Sequence, residues 1–152
     1  MDGVAHVFLT FSHDTIIVPL ILFGYIWGRR DIFYDAICLL LFSMIFNAAL
    51  KVTFQVPLSP FLEKDGFAFP SGHMQSSFIL YGWLALKIQN NWIRLLIALL
   101  LFGIGISLVS CGYHSYCDIF GSIFFALLLM ITYWLGISKN EKIYGQKAFQ
   151  HP

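Results

Sequence analysis

Long apolar stretches separated by short polar links run through most of the chain. Each long stretch has about the 20 residues that a helix needs to cross the hydrocarbon core of a bilayer. An earlier stretch, Thr15 to Trp27, is apolar but shorter, and its helix is expected to begin near Ser12. The other predicted spans are Ile32 to Leu50, Pro70 to Ile88, Trp92 to Ser110 and about His114 to Ile137. The pattern therefore predicts an all-α, integral membrane helical bundle of about five transmembrane helices.

The composition supports a membrane protein with a single domain. Hydrophobic residues make up 59% of the 152 residues and charged residues 11%, whereas soluble domains carry about 25% charged residues. The whole chain, 1–152, is predicted to be one membrane-embedded domain, with residues 1–11 as a candidate interfacial segment and residues 138–152 as a cytoplasmic tail. The formal net charge of +1 gives no indication of a nucleic-acid partner.

The positions of the cations predict the orientation of the bundle, because lysine and arginine are enriched on the cytoplasmic side of membrane proteins. The expected helix order places most of the cations at one face: Arg29, Arg30, Lys87, Arg94, Lys139, Lys142 and Lys147. Only Lys51 and Lys64 fall at the other face. We therefore expect the loop from Val52 to Phe69 and the link from Cys111 to Tyr113 to lie outside the cytoplasm. The compact size favours a bacterial inner membrane, with these loops on its periplasmic side.

The stretch PSGH, Pro70 to His73, lies at the external mouth of the third predicted span. Proline suits the first turn of a helix because it has no N–H and its φ is already fixed. The amides of Ser71 and Gly72 would then point out of a helix N-terminus, where the partial positive charge favours an anion. His73 is expected beside this anion site. The alternative is a proline–serine cap with an interfacial histidine, and the stretch alone leaves both interpretations open.

A second polar pair, His114 and Asp118, lies at the start of the last predicted span. The two residues are four positions apart, so on a helix they would share one face. A carboxylate that accepts a hydrogen bond from one ring nitrogen fixes the tautomer and leaves the other nitrogen free to act as a nucleophile or base. Ionisable residues inside a span are costly and mark functional sites by default. An interfacial histidine with Asp118 in a polar pocket remains the alternative.

Three stripes of polar residues, each with a period of four, are predicted to converge at the same external end of the bundle. In lipid, such stripes must face the interior of the bundle. They consist of Ser43, Asn47 and Lys51, of His73, Ser77 and Tyr81, and of His114, Asp118 and Ser122. Together they predict a polar cavity that is open to the outside.

Three segments carry a family resemblance: KVTFQVPLS at residues 51–59, PSGH at 70–73 and SLVSCGYHSYCD at 107–118. In order and spacing they resemble the motifs K-x6-R-P, P-S-G-H and S-R-x5-H-x3-D of the type 2 phosphatidic acid phosphatase family, which shares its site with the vanadium haloperoxidases. The likeness extends from roughly Phe11 to the last span. It implies the helical fold of that family and an integral membrane lipid phosphatase that hydrolyses a lipid phosphomonoester or a polyprenyl (di)phosphate.

The resemblance also implies a role for each site residue. His114 would be the nucleophile that attacks phosphorus to give a phosphohistidine, and Asp118 would orient it. His73 would protonate the departing alcohol and then activate water. The implied phosphate-binding groups are Lys51 and the amides of Ser71 and Gly72. The family needs no metal or other cofactor.

The two arginines of the family motifs are absent from this chain. Their positions hold Leu58 and Leu108, and Ser59 replaces the proline that follows the first arginine. The loss of one preorganised donor typically lowers the rate of an enzyme about 10²–10³-fold. The side chains that could compensate are Lys51, Lys64 and Gln55.

Other functions therefore stay open at this stage. A lipid phosphotransferase or phosphodiesterase, similar to the sphingomyelin synthases that keep S-G-H and H-x3-D with fewer arginines, would act on a singly charged phosphodiester. A pseudophosphatase would bind lipid without turnover. Whether Cys111 and Cys117 pair across the loop that they flank is also open. The possible ligands of a metal site are His13, Asp14, His73, His114 and Asp118, although their spacing does not require one.

Overall fold

The computed structural model describes the backbone of residues 2–58 and 66–148 and the side chains of residues 3–58 and 66–136. These residues form six α-helices and no strand beyond a single bridge between Pro57 and Phe67. The helices are α1 (Asp2–Thr10), α2 (Asp14–Trp27), α3 (Arg30–Phe54), α4 (Gly72–Lys87), α5 (Asn91–Ser110) and α6 (Tyr116–Ala148). The predicted all-α bundle is confirmed.

Within the described residues, three helices are individually long and apolar enough to cross a membrane: Arg30–Phe54, Asn91–Ser110 and the Tyr116–Gly136 part of α6. α1 and α2 together make a fourth candidate span, which is bent by 42°. α4 has 16 residues and is shorter than the roughly 20 that a free span needs. It packs against α3, α5 and α6, so it is the central helix of the bundle. The predicted number of about five spans therefore holds approximately.

Apolar side chains cover the outside of the bundle, and polar side chains lie inside it. Phe42, Ile45, Phe102 and Phe120 are each more than half exposed. The buried polar side chains near the motifs are Ser43, Asn47, Gln75, Ser77, Ser107, Asp118 and Ser122. This distribution suits a chain whose surrounding solvent is lipid, because polar groups in a bilayer need partners within the protein.

The order of the helices brings the three motifs to one end of the bundle. The last turn of α3 and the first turn of α4 lie at the same end of the bundle, and so do the last turn of α5 and the first turn of α6. Arg29, Arg30 and Arg94 lie at the opposite end, where Arg29 pairs with Asp31 at 2.9 Å and the Arg94 Nε donates to the Ile88 carbonyl at 2.6 Å. Because α3 has 25 residues and a helix rises about 1.5 Å per residue, the two ends are too far apart for an arginine to reach the motifs.

The first span is broken at residues 11–13, between α1 and α2. α1 packs against α5, with the ring of Phe8 so close to Gly103 that a methyl group there would collide with it. α2 packs against α3. α1 therefore forms a wall at the motif end of the bundle, while the interfacial position proposed for residues 1–11 stays a prediction.

Candidate active site

A cavity of about 440 Å³ lies at the motif end of the bundle, within the usual size range of small-molecule sites. The break in the first span, the end of α3, the start of α4 and the link from α5 to α6 all contribute to its wall. Its lining residues are His6, Leu9, Thr10, Ser12, His13, Lys51, Leu58, His73, Leu108, Tyr113 and His114. The structure thus brings together His73, His114 and Lys51, which the sequence placed in one site.

Ser71 is the N-cap of α4. Its hydroxyl accepts a hydrogen bond from the Met74 N–H at 3.4 Å, and its own N–H donates to the Asp118 carbonyl at 3.4 Å. The residue is fully buried. The Ser71 amide therefore already has a partner in α6, and its predicted contact with a phosphate oxygen stays a prediction. The amides of Gly72 and His73 come first in the helix and have no acceptor in the helical ladder, so they are the ones available to an anion.

A buried amide network holds the PSGH segment from the α3 side. The Asn47 Nδ2 donates to the Pro70 carbonyl at 3.3 Å and to the Gln75 Oε1 at 2.8 Å. The Gln75 Nε2 in turn donates to the Ser43 hydroxyl at 2.9 Å. The polar stripe on α3 therefore positions α4. Sequence reasoning missed Gln75, although a glutamine among apolar residues needs a polar partner in lipid, and the α3 stripe was the available one.

Ser122 holds the same segment from the α6 side. Its hydroxyl lies 2.9 Å from the Ser71 carbonyl and 2.6 Å from the Asp118 carbonyl. PSGH is therefore held between α3 and α6 by hydrogen bonds from both helices. Ser77 of the α4 stripe is also buried, but its hydroxyl has no partner among the described residues.

His114 precedes α6 and does not lie on it. The prediction that the last span begins at about His114 is wrong by two residues, because α6 begins at Tyr116. The His114 N–H donates to the Leu108 carbonyl at 3.3 Å, so the end of α5 positions it. The side chain is 8% exposed, and its Nδ1 has no hydrogen-bond partner among the described residues.

The Asp118 carboxylate lies beside His114 but is hydrogen-bonded elsewhere. Its Oδ2 is 3.7 Å from the His114 Nδ1, which is within ion-pair range but longer than a hydrogen bond. The same Oδ2 accepts from the Ser115 N–H at 2.7 Å, and the Asp118 N–H donates to the Ser115 hydroxyl at 3.3 Å. This reciprocal pair is a capping box, and it explains why α6 starts after Ser115. The signal S-x-x-D before an apolar run was present in the sequence and was missed.

Burial lowers the pKa of the His114 imidazole below its ordinary value of 6.5, and the Asp118 carboxylate opposes this shift. Burial is the larger effect. His114 is therefore neutral at pH 7, which is the state in which a ring nitrogen carries a lone pair for attack.

Two further histidines reach the cavity from the first span. His6 and His13 both line it, and the His13 ring meets the His73 ring edge to face, with 5.3 Å between the ring centroids. His13 was named from the sequence as a possible metal ligand, and His6 was missed. Among the described residues, no three His, Cys, Asp or Glu side chains lie close enough together to hold a metal ion. The three cysteines, Cys38, Cys111 and Cys117, are free.

The two leucines that stand where the family has arginines also line the cavity. Leu108 is 2% exposed, and Leu58 is held there by its N–H, which donates to the Gly66 carbonyl at 3.1 Å. Gln55 does not line the cavity. Ser59 and Lys64 lie outside the described residues. Lys51 is therefore the only lysine or arginine that the described part of the chain contributes to the cavity wall.

Comparison with known proteins gives one family and two solved structures. The sequence-family model of the PAP2 superfamily matches residues 33–142 of this chain. LpxE of Aquifex aeolicus is 22% identical, with a TM-score of 0.75 over 88% of this chain and 84% of that chain. A transmembrane PAP2 type phosphatidylglycerolphosphate phosphatase from Bacillus subtilis is 21% identical, with a TM-score of 0.74 over 93% of this chain and 77% of that chain. A search of curated proteins gave no match.

The family match covers more than two thirds of the chain and includes all three motifs. It begins after the first span, so His6 and His13 lie outside it. The two solved structures show the same membrane fold. This integral membrane protein therefore belongs to the PAP2 superfamily, the type 2 phosphatidic acid phosphatase family that its motifs resemble.

Proposed function

We propose that the protein is a PAP2-type lipid phosphatase that hydrolyses a lipid phosphomonoester or a polyprenyl (di)phosphate through a phosphohistidine intermediate. The observation that carries the proposal is the shared cavity, which joins His73 of α4, His114 of the α5–α6 link and Lys51 of α3 at one end of a membrane bundle. The Bacillus subtilis neighbour is named as a phosphatase of phosphatidylglycerolphosphate, which is a lipid phosphate ester, and this supports the same substrate class here.

In the first step of the proposed reaction, the neutral His114 ring attacks phosphorus with the Nε2 atom, since the Nδ1 atom faces Asp118. A P–N bond forms as the P–O bond to the lipid breaks. The departing alkoxide takes a proton from a protonated His73. In the second step, neutral His73 takes a proton from water, and the water oxygen attacks phosphorus. The P–N bond breaks, inorganic phosphate leaves, and both histidines return to their starting states.

Lys51 and the first amides of α4 are the proposed phosphate-binding groups. Lys51 lines both the main cavity and the adjoining groove that contains Gly72 and His73. The amides of Gly72 and His73 point out of a helix N-terminus, which favours a negative charge. Ser71 is assigned a different task, because its amide and hydroxyl fix the backbone that presents those two amides.

We propose that the reaction takes place on the extracytoplasmic face of a bacterial inner membrane. The motif end of the bundle holds Lys51, whereas the arginines lie at the other end with Lys87. This asymmetry supports a cytoplasmic position for the arginine end.

A phosphotransferase or phosphodiesterase acting on a singly charged phosphodiester is the second candidate. Leu58 and Leu108 favour it, because both line the cavity and neither can donate a hydrogen bond to phosphate. A phosphodiester carries one negative charge, and Lys51 alone can balance it. The acceptor would then be a lipid alcohol in place of water.

Purified protein in detergent distinguishes these candidates. We expect release of inorganic phosphate from phosphatidate, phosphatidylglycerol phosphate or a polyprenyl diphosphate, and a loss of at least about 10³-fold in His114→Ala because the nucleophile is absent. Samples with ³²P-labelled substrate that are denatured rapidly at alkaline pH, where the P–N bond of a phosphohistidine survives, should carry label on the wild type only. Cys117→Ala is the matched control, since Cys117 is exposed and does not line the cavity.

Transfer of a head group between lipids without free phosphate would favour the second candidate. Absence of both reactions in the wild type, with lipid binding retained, would identify a pseudophosphatase and refute the proposed function.

A further inference from the structure

His13 occupies the N-cap position of α2 but does not cap the helix. Its backbone has the usual extended N-cap geometry, with φ −83° and ψ 147°, and its side chain makes no capping hydrogen bond. Asparagine, aspartate and serine are the residues that stabilise this position. Helix formation therefore does not explain a histidine here, and the imidazole is free for another contact.

The break that carries His13 has a defined backbone. The Tyr81 hydroxyl of α4 donates to the Phe11 carbonyl at 2.8 Å, and the Ser12 hydroxyl donates to the Leu9 carbonyl at 2.7 Å. The His13 carbonyl accepts from the first turn of α2. Irregular backbone at membrane depth is tolerated where it is buried in protein or lines a polar cavity. The break meets the second condition, because Ser12 and His13 line the cavity.

The His13 ring is directed at the same space as His73. The two ring centroids are 5.3 Å apart and the planes meet at 84°. Both rings line the main cavity together with Lys51 and His114. A phosphoryl group that lies between His73 and His114 is therefore within reach of His13.

The cavity has few other groups that could bind a phosphate dianion. Lys51 is the only lysine or arginine that the described residues supply, and the side formed by Leu58 and Leu108 offers no donor. The other titratable groups that line the cavity with His13 are His6, Lys51, His73, Tyr113 and His114, and Asp14 is its neighbour on α2. An imidazole N–H at position 13 would add a hydrogen bond to a charged phosphate oxygen, and a bond with one ionised partner is about twice as strong as a neutral one.

We propose that His13 is a substrate-contacting residue that donates a hydrogen bond from its imidazole to a phosphoryl oxygen. The identity of the substrate rests on the proposed function. The contact itself does not, because inorganic phosphate offers the same oxygens.

His13→Asn separates a structural role from this contact. Asparagine caps a helix better than histidine, so the melting temperature in detergent should stay the same or rise. KM should increase, and kcat/KM on the preferred lipid phosphate should fall at least about tenfold, as expected for one lost hydrogen bond to a charged group. His13→Arg, which keeps a charged donor, should recover part of this loss. Thr15→Ala is the matched control, because Thr15 is exposed on the same turn and does not line the cavity.

A His13→Asn enzyme with kcat/KM within twofold of the wild type would overturn the proposal. So would an unchanged KM with a shifted pH profile, because His13 would then act through His73. If the wild type hydrolyses no lipid phosphate, the proposed function fails, and the contact is judged by modification of His13 with diethyl pyrocarbonate. Protection of His13 by inorganic phosphate, measured by peptide mass spectrometry, supports the contact, and equal modification with and without phosphate overturns it.

Discussion

At the scale of single residues, the Asp118 carboxylate serves two neighbours. One of its oxygens holds the first turn of α6 through the Ser115 N–H, and the same oxygen lies 3.7 Å from the His114 ring. The charge of Asp118 therefore stabilises the protonated form of His114, while burial favours the neutral form. The capping function and the electrostatic function can be separated by substitution.

Asp118→Asn should move the acidic limb of the pH profile to lower pH. Burial already lowers the pKa of His114 below 6.5, and the loss of the negative charge lowers it further, so the neutral nucleophile persists to lower pH. The kcat/KM of the purified enzyme, measured from pH 4 to 8, checks this. Ser115→Ala is the control, because it removes a capping hydroxyl without changing the charge. A limb that stays in place in Asp118→Asn, or moves equally in Ser115→Ala, would contradict the electrostatic role.

Sequence patterns located the main site residues but not their hydrogen-bond partners. The PSGH motif and the spacing from His114 to Asp118 placed both histidines at one end of the bundle, and the cavity contains both. The occupied amide of Ser71 was not predictable in the same way, because its partner, the Asp118 carbonyl, lies 47 positions further along the chain. Only the packing of α4 against α6 brings these two groups together.

At the scale of elements, the position of α4 depends on polar contacts inside an apolar bundle. Gln75 and Asn47 link α4 to α3, and Ser122 links the PSGH segment to α6. Aromatic packing adds to this support, since the Phe69 ring is so close to Gly121 of α6 that a side chain there would collide with it. α4 is therefore positioned by specific contacts on two sides as well as by general apolar packing.

Gln75→Leu should destabilise the protein, whereas Ser77→Ala should not. Leucine at position 75 leaves the Ser43 hydroxyl without its partner and leaves the Asn47 amide only its longer bond to the Pro70 carbonyl, at a cost of about 1–3 kcal/mol. The Ser77 hydroxyl is equally buried but already has no partner among the described residues, so its removal should be neutral or slightly stabilising. Thermal unfolding in detergent measures both. Equal melting temperatures for the two variants would show that the Gln75 network does not hold α4.

The helices were predictable from their apolar length, and their ends were not. The predicted span Trp92 to Ser110 agrees with α5 to within one residue at each end. The start of α6 was misplaced because Ser115 and Asp118 cap the helix and leave His114 outside it. The start of α2 was expected near Ser12 and lies at Asp14. The continuation of the span into α1 depends on tertiary contacts with α5 that a local pattern does not contain.

At the scale of the whole molecule, the charges and the cavity define two different ends. The arginines lie at one end, and the cavity and the α5–α6 link lie at the other. Cys117 is an exposed free thiol in the first turn of α6, at the cavity end. It is a natural probe for the orientation of the bundle.

A membrane-impermeant maleimide should label Cys117 in intact cells that carry Cys38→Ala and Cys111→Ala. The expected orientation places this thiol outside the cytoplasm, because the arginine end is retained inside. Asn90→Cys in a chain without the native cysteines is the matched control, since Asn90 lies in the turn at the opposite end, and it should be labelled only after permeabilisation. The reverse pattern would place the cavity in the cytoplasm.

The short length of α4 has a consequence for the surrounding bilayer. Its 16 residues extend for about 24 Å, against a hydrocarbon thickness of about 30 Å. For a bundle with Lys87 at one hydrocarbon boundary, a helix of this length would end about 6 Å short of the other boundary. A lipid phosphate would then reach His73 by sinking into the leaflet or through local thinning of the bilayer around the protein. The turnover rate should therefore depend on the acyl-chain length of the host membrane, with thinner bilayers giving the faster enzyme.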